Sequence, residues 1–174
     1  MRFARALALL FSYSMASPDG EQQRLQRHLQ DALAAHKGGE LDLALENYRT
    51  VLSINSGLPA VHNNAAAVAL ALGQPEAAEA SWRAALTQKP DYAEAHYNLA
   101  VLLSERGDPT SLADARHHCA EALEHKPGYV QGHHLMGNIL ASLERADAAA
   151  GYYAQAQDLA TDASSGARLV YLRR

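Results

Sequence analysis

The sequence predicts an all-α chain of four stacked helix pairs, and three observations predict it. Histidine recurs at His28, His62 and His96, 34 residues apart, and again at His133 after 37. Ala44, Ala78, Ala115 and Ala149 repeat the same 34, 37, 34 spacing. Turn residues punctuate the pattern, with Gly39, Gly73 and Gly107 in mid-unit and Pro90 and Pro127 at unit ends. Self-similarity at a period of this length marks a helical repeat whose units bury their apolar faces on one another.

In chain order, residues 1–16 stand apart. Arg2 and Arg5 precede the apolar run Ala6–Phe11, Ser14 and Ala16 follow, and the first carboxylate is Asp19. A basic start, a short apolar stretch and a small-residue end are the pattern of a secretory signal peptide. An organellar transit peptide and an N-terminal helix packed on the first repeat are the rival readings. The protein is accordingly expected in the secretory pathway if 1–16 is a signal, and in an organelle or the cytoplasm otherwise. Loss of 1–16 would leave 13 Lys+Arg against 19 Asp+Glu, a net charge of −6.

Four repeats follow over 21–161, bounded as 25–58, 59–92, 93–129 and 130–161. Their helices are expected at 22–38, 42–54, 59–72, 75–88, 93–106, 111–125, 130–143 and 147–160. Ala32, Ala66, Ala100 and Gly137 fall mid-way along the first helix of each pair, where a larger side chain would hold the helices apart. Ala44, Ala78, Ala115 and Ala149 do the same from the second helix. Tyr48, Trp82 and Tyr153 recur four residues later and supply large buried areas. Cys119 takes that place in the third unit, which predicts a looser contact there. The 37-residue spacing predicts a three-residue insertion, placed as a surface loop in 107–111 because turn residues cluster there. Glu144 stands where the other units have a turn glycine. The segment 162–166 predicts a break, with 167–174 as a capping helix.

A 34-residue unit with small residues at fixed places and a closing proline resembles the tetratricopeptide repeat (TPR) family. The resemblance covers about 25–161, and Tyr92–Ala100 is similar to the repeats of protein O-GlcNAc transferase. It implies a right-handed superhelical solenoid of helix-turn-helix repeats, whose first helices line a concave groove that holds a peptide or partner segment. By register the groove face carries Gln30, Asn63, Asn64, Glu94, Tyr97, Asn98, Gln131, His134 and Asn138, together with Val101 and Glu105. Asn64 and Asn98, 34 residues apart, would form two rungs of an amide ladder able to bond an extended backbone. The family's carboxylate clamp for chaperone tails needs basic groove residues. The third unit has Glu94, Tyr97 and Asn98 there, so that mode is not expected.

The resemblance therefore implies a protein-interaction adaptor or scaffold and no enzyme. The alternative is a substrate-recruiting repeat region of a larger or multi-chain enzyme such as a glycosyltransferase or methyltransferase. Self-association through an exposed solenoid end is a third reading, and the sequence leaves the oligomeric state open. The formal net charge of −4 speaks against a nucleic-acid partner. The apolar run of 6–11 is too short to span a bilayer. The single cysteine, Cys119, allows no intrachain disulfide and no cysteine-based zinc site. His28, His62, His96 and His133 lie one to a repeat, too far apart to share an ion. His117, His118 and His125 offer at most two convergent ligands. No phosphate loop, dinucleotide fingerprint, His-Glu-x-x-His or nucleophile elbow is present. No cofactor, metal or catalytic residue is expected.

Overall fold

The computed structural model describes residues 18–171, with side chains over 20–161. The leader expected at 1–16 lies outside the described residues. Among those residues there are eight helices: α1 (Pro18–Gly38), α2 (Leu41–Ile54), α3 (Pro59–Ala71), α4 (Pro75–Gln88), α5 (Ala93–Arg106), α6 (Pro109–His125), α7 (Val130–Ser142) and α8 (Ala146–Tyr171). The chain forms two compact units, one ending at Ser81 and the other beginning at Trp82, within α4. In the first, α1 packs on α2 and α2 on α3. In the second, α5 packs on α6, α6 on α7 and α7 on α8.

The turns follow from backbone chemistry. Gly39, Gly73 and Gly107 all have left-handed φ, at 80°, 71° and 72°. Behind Gly39 and Gly73, Glu40 N donates to Ala35 O and Gln74 N to Ala69 O, each at 2.9 Å, closing the last helical turn. Arg145 N donates to Leu140 O at 2.8 Å in the fourth unit, so the same turn is made there with Glu144 at φ 57°. A residue bearing Cβ is strained in that conformation. Pro59, Pro75 and Pro109 each begin a helix, where their fixed φ fits and no amide donor is lost.

Two expectations are corrected. The extra residues of the third unit form no loop. Helix α6 starts two residues after its turn glycine, as α2 and α4 do, and runs 17 residues against their 14. Asp108 caps it, accepting from Ser111 N at 2.9 Å and Thr110 N at 3.1 Å. That cap, with Pro109 in the first turn, moves the three residues into the helix. The break expected at 162–166 is likewise absent, because α8 continues to Tyr171. That stretch holds no proline, and one glycine costs a helix only about 1 kcal/mol.

The helix pairs meet through small side chains. Ala32, Ala44, Ala66, Ala78, Ala100 and Ala115 have no solvent exposure. At Gly137 even a methyl group is excluded, since a Cβ there would lie 2.5 Å from Tyr153 Cε1. Tyr48 and Trp82 are buried as expected from the repeat. The contact at Cys119 is filled rather than loose. The thiol is fully buried and donates to Gly132 O at 3.3 Å, and a Cβ on Gly132 would lie 2.9 Å from Leu123 Cδ2.

The periodic histidines do more than pack. His62, His96 and His133 donate Nε2–H to the carbonyl six residues earlier: Ser56 O at 2.9 Å, Pro90 O at 2.9 Å and Pro127 O at 2.8 Å. Each thereby ties a first helix to the turn that precedes it. A carbonyl only accepts, so the other ring nitrogen of each neutral histidine is an acceptor. His96 Nδ1 accepts from His118 Nδ1–H on α6 at 3.0 Å. His28 uses the opposite tautomer and donates Nδ1–H to Asn47 Oδ1 at 2.8 Å. Asn47 and His118 both precede the interhelix residue of their unit. In the fourth unit that place is Tyr152, whose ring lies 6.0 Å from His133, and His133 Nδ1 is buried without a partner.

Burial, then the neighbouring His117 and Arg83 along with His96 itself, pushes His118 down to about 4, with Asp114 opposing. Burial also lowers His96, against the pull of Pro90 O and Glu121. Both rings are therefore neutral in the fold, while the unfolded chain takes up protons at the ordinary histidine pH. Stability is complete above that range and falls as pH drops from about 6.5 to 4. Thermal melts at pH 7.5 and 4.5 are expected to show this loss. His118→Asn, which keeps a donor for His96, is expected to shrink it; an unchanged loss would count against the pair.

Two further variants test the backbone and packing. Glu144→Gly is expected to raise stability by about 1 kcal/mol in urea unfolding, by relieving left-handed φ. Ala115→Leu is expected to cost about 1–3 kcal/mol through overpacking. A neutral melt for Ala115→Leu would show that the α5–α6 contact yields.

Candidate functional site

In the second unit the facing sides of α5 and α7 enclose an open groove of about 430 Å³. Helix α5 supplies Tyr97, Val101, Ser104 and Glu105, and α7 supplies Gln131, His134, Leu135 and Asn138. Each set follows three- and four-residue steps, so each is one helix face. Val101 and the nearly buried Leu135 form an aliphatic floor. Amide, hydroxyl and imidazole groups stand around it.

Asn138 is pre-oriented. Tyr153 donates its hydroxyl proton to Asn138 Oδ1 at 2.8 Å, which leaves the amide N–H₂ directed to other acceptors. Tyr153 is held in turn against Gly137, and its ring lies 5.3 Å from that of His134. Beside Tyr97, its ring packs on Tyr129 at 4.8 Å, and Lys126 Nζ sits 4.4 Å above the Tyr129 ring while bonding Glu94 Oε1 at 2.8 Å. Burial, then the neighbouring Tyr97 and Glu94, pushes the Tyr129 phenol up to about 12. The Lys126 hydrogen bond holds Glu94 below the usual carboxylate range. Lys89 and Tyr92 form the same cation–aromatic pair one unit earlier, at 5.1 Å.

The groove gathers Tyr97, Val101, Glu105, Gln131, His134 and Asn138 of the eleven residues placed there by register. Glu94 belongs to the Lys126–Tyr129 network, and Asn98 on α5 is half-buried. Gln30, Asn63 and Asn64 belong to the compact unit that ends at Ser81, where Gln30 is exposed and Asn63 half-buried. The Asn64 side chain hydrogen-bonds the Tyr48 hydroxyl, so it supports the core as well as offering a polar surface. Register alone missed Ser104, which the 97, 101, 104 spacing on one helix face would have included. It also left out Leu135.

The histidine-rich stretch of α6 does not converge. His118 turns to His96, while His117 and His125 lie 4.0 and 3.9 Å from Glu121. Among the described residues no group of three or more His, Cys, Asp and Glu side chains is arranged to hold a metal ion. Burial pushes the Cys119 thiol up to about 12, which keeps it protonated and poorly nucleophilic. No described helix is long and apolar enough to cross a membrane.

The paired helices, their short turns and this groove define a helical repeat fold. A TPR repeat family model matches residues 68–107. Solved structures share the fold over most of the chain. A crystal structure of MamA aligns with a TM-score of 0.77 at 16% identity, covering 88% of this chain and 86% of that one. A thermophilic TPR protein of Thermus thermophilus aligns at 0.65 and 22%, covering 78% and 74%. The first TPR of Spaghetti (RPAP3), solved with the HSP90 peptide SRMEEVD, aligns at 0.65 and 18%, covering 70% and 94%. No curated protein sequence matches the chain.

Proposed function

We propose that this protein is a binding module, an adaptor or scaffold that holds an extended segment of a partner protein in the groove between α5 and α7. The observation that carries the reading is the pre-oriented Asn138 amide beside an aliphatic floor and the polar groups of Ser104, Gln131 and His134. Such a surface bonds a peptide backbone through amides and takes occasional side chains in its apolar recess. Two aliphatic residues make too narrow a strip for an amphipathic helix, which needs a continuous apolar trough. Asn138 lies off the register of the expected Asn64–Asn98 ladder, which reaches Leu135 in the fourth repeat. The neighbour solved with an HSP90 peptide supports peptide binding as a use of this fold.

Affinity capture with the whole chain, in parallel with Gln131→Ala/His134→Ala, tests the reading. Both side chains are exposed, so the melting temperature is expected to stay within about 2 °C, since surface substitutions rarely exceed about 0.5 kcal/mol. Partners that cross-link to α5 or α7 and are lost with the double variant support the groove. Partners retained in full by the variant would place binding elsewhere.

A further inference from the structure

We infer that the groove takes an internal, basic stretch of its partner, with an aliphatic side chain on Val101 and Leu135 and a lysine or arginine two residues along it paired with Glu105. The inference rests on the groove being the binding site, as proposed above. Its first ground is the charge of the lining, which holds one carboxylate, Glu105, and neither lysine nor arginine. The cation beside Tyr97, Lys126, is already engaged by Glu94 at 2.8 Å and by the Tyr129 ring. A chain-terminal carboxylate or an acidic segment would find no free cation in the lining and would face Glu105.

Glu105 is exposed and enters none of the described ion pairs, so an incoming cation gains an attraction without breaking an existing pair. The whole chain, at net charge −4, favours the approach of a basic segment.

Spacing is the second ground. Val101 and Glu105 lie one helical turn apart, about 5–6 Å along α5. Alternate residues of an extended peptide point to one side and rise about 6.6–7 Å, a close match to that turn. An aliphatic residue on the floor therefore brings the second residue beyond it to Glu105. The intervening side chain faces away, and the backbone passes the Ser104, Gln131 and Asn138 polar groups. The recognised pattern is aliphatic, any residue, then Lys or Arg.

A random 12-mer display library selected on the whole chain tests this, followed by fluorescence anisotropy with synthetic copies of the winners. The expected winners carry the aliphatic-x-Lys/Arg pattern. Exchanging the basic residue for Gln, or Glu105→Gln in the protein, is expected to weaken binding about 3- to 5-fold, the range of an exposed ion pair. Raised salt is expected to erase that difference. The peptide SRMEEVD, printed for a structural neighbour, is expected not to compete. Winners that are neutral or acidic, or equal binding by Glu105→Gln, would overturn the basic-segment inference and leave the groove standing. Winners that bind Gln131→Ala/His134→Ala as tightly as the unaltered chain, or a selection that yields none, would overturn both.

Discussion

Close approach of paired helices through alanine and glycine is the constraint on which the rest of this structure depends. Ala32, Ala44, Ala66, Ala78, Ala100 and Ala115 are shut from solvent, and the helices joined by two-residue turns, α1 to α2 and α5 to α6, pack against each other. That spacing lets a histidine on two of the first helices bond its partner helix. His28 reaches Asn47, and His96 reaches His118. The same distance control sets the free faces of the first helices, which carry the polar residues of the groove. A bulkier residue at Ala100 or Ala115 would disturb the α5–α6 contact, the His96–His118 bond and the groove face of α5 together.

Departures from the repeat concentrate where the groove forms. The third and fourth units contain the lengthened α6, the Cys119–Gly132 contact, the left-handed Glu144 and the ring of Tyr153 against Gly137. Tyr153 links packing to recognition. Its ring fills the space Gly137 vacates, and its hydroxyl orients Asn138 towards the groove. Asp108 performs a similar service for α6, since its cap starts a helix three residues longer than its counterparts.

Electrostatics divide the same region into engaged and available groups. Glu94 and Lys126 neutralise each other over Tyr129, while Glu105 remains exposed in the groove wall. The sequence argument against acidic tails leaned on Glu94, whose charge is offset by Lys126. The stronger ground is the lining itself, which offers no cation. The solved neighbour with an acidic HSP90 peptide has this fold at 18% identity, so the shared architecture leaves the choice of ligand to individual side chains.

Much of the fold was legible because it is set by local chemistry repeated four times. Small residues at a fixed period, aromatics four residues on, glycine in the paired-helix turn and proline at unit ends each act through backbone or nearest-neighbour packing, so linear order carries them. The placement of Tyr97, Gln131, His134 and Asn138 on groove-facing surfaces follows from helical register in the same way. Tertiary structure decided what depends on contact between distant residues. Which tautomer His96 adopts is set by Pro90 and His118, the orientation of Asn138 by Tyr153, the engagement of Asn64 by Tyr48, and the neutralisation of Glu94 by Lys126. None of these pairings has a period, because each is a bond between side chains that only the packed helices bring within reach.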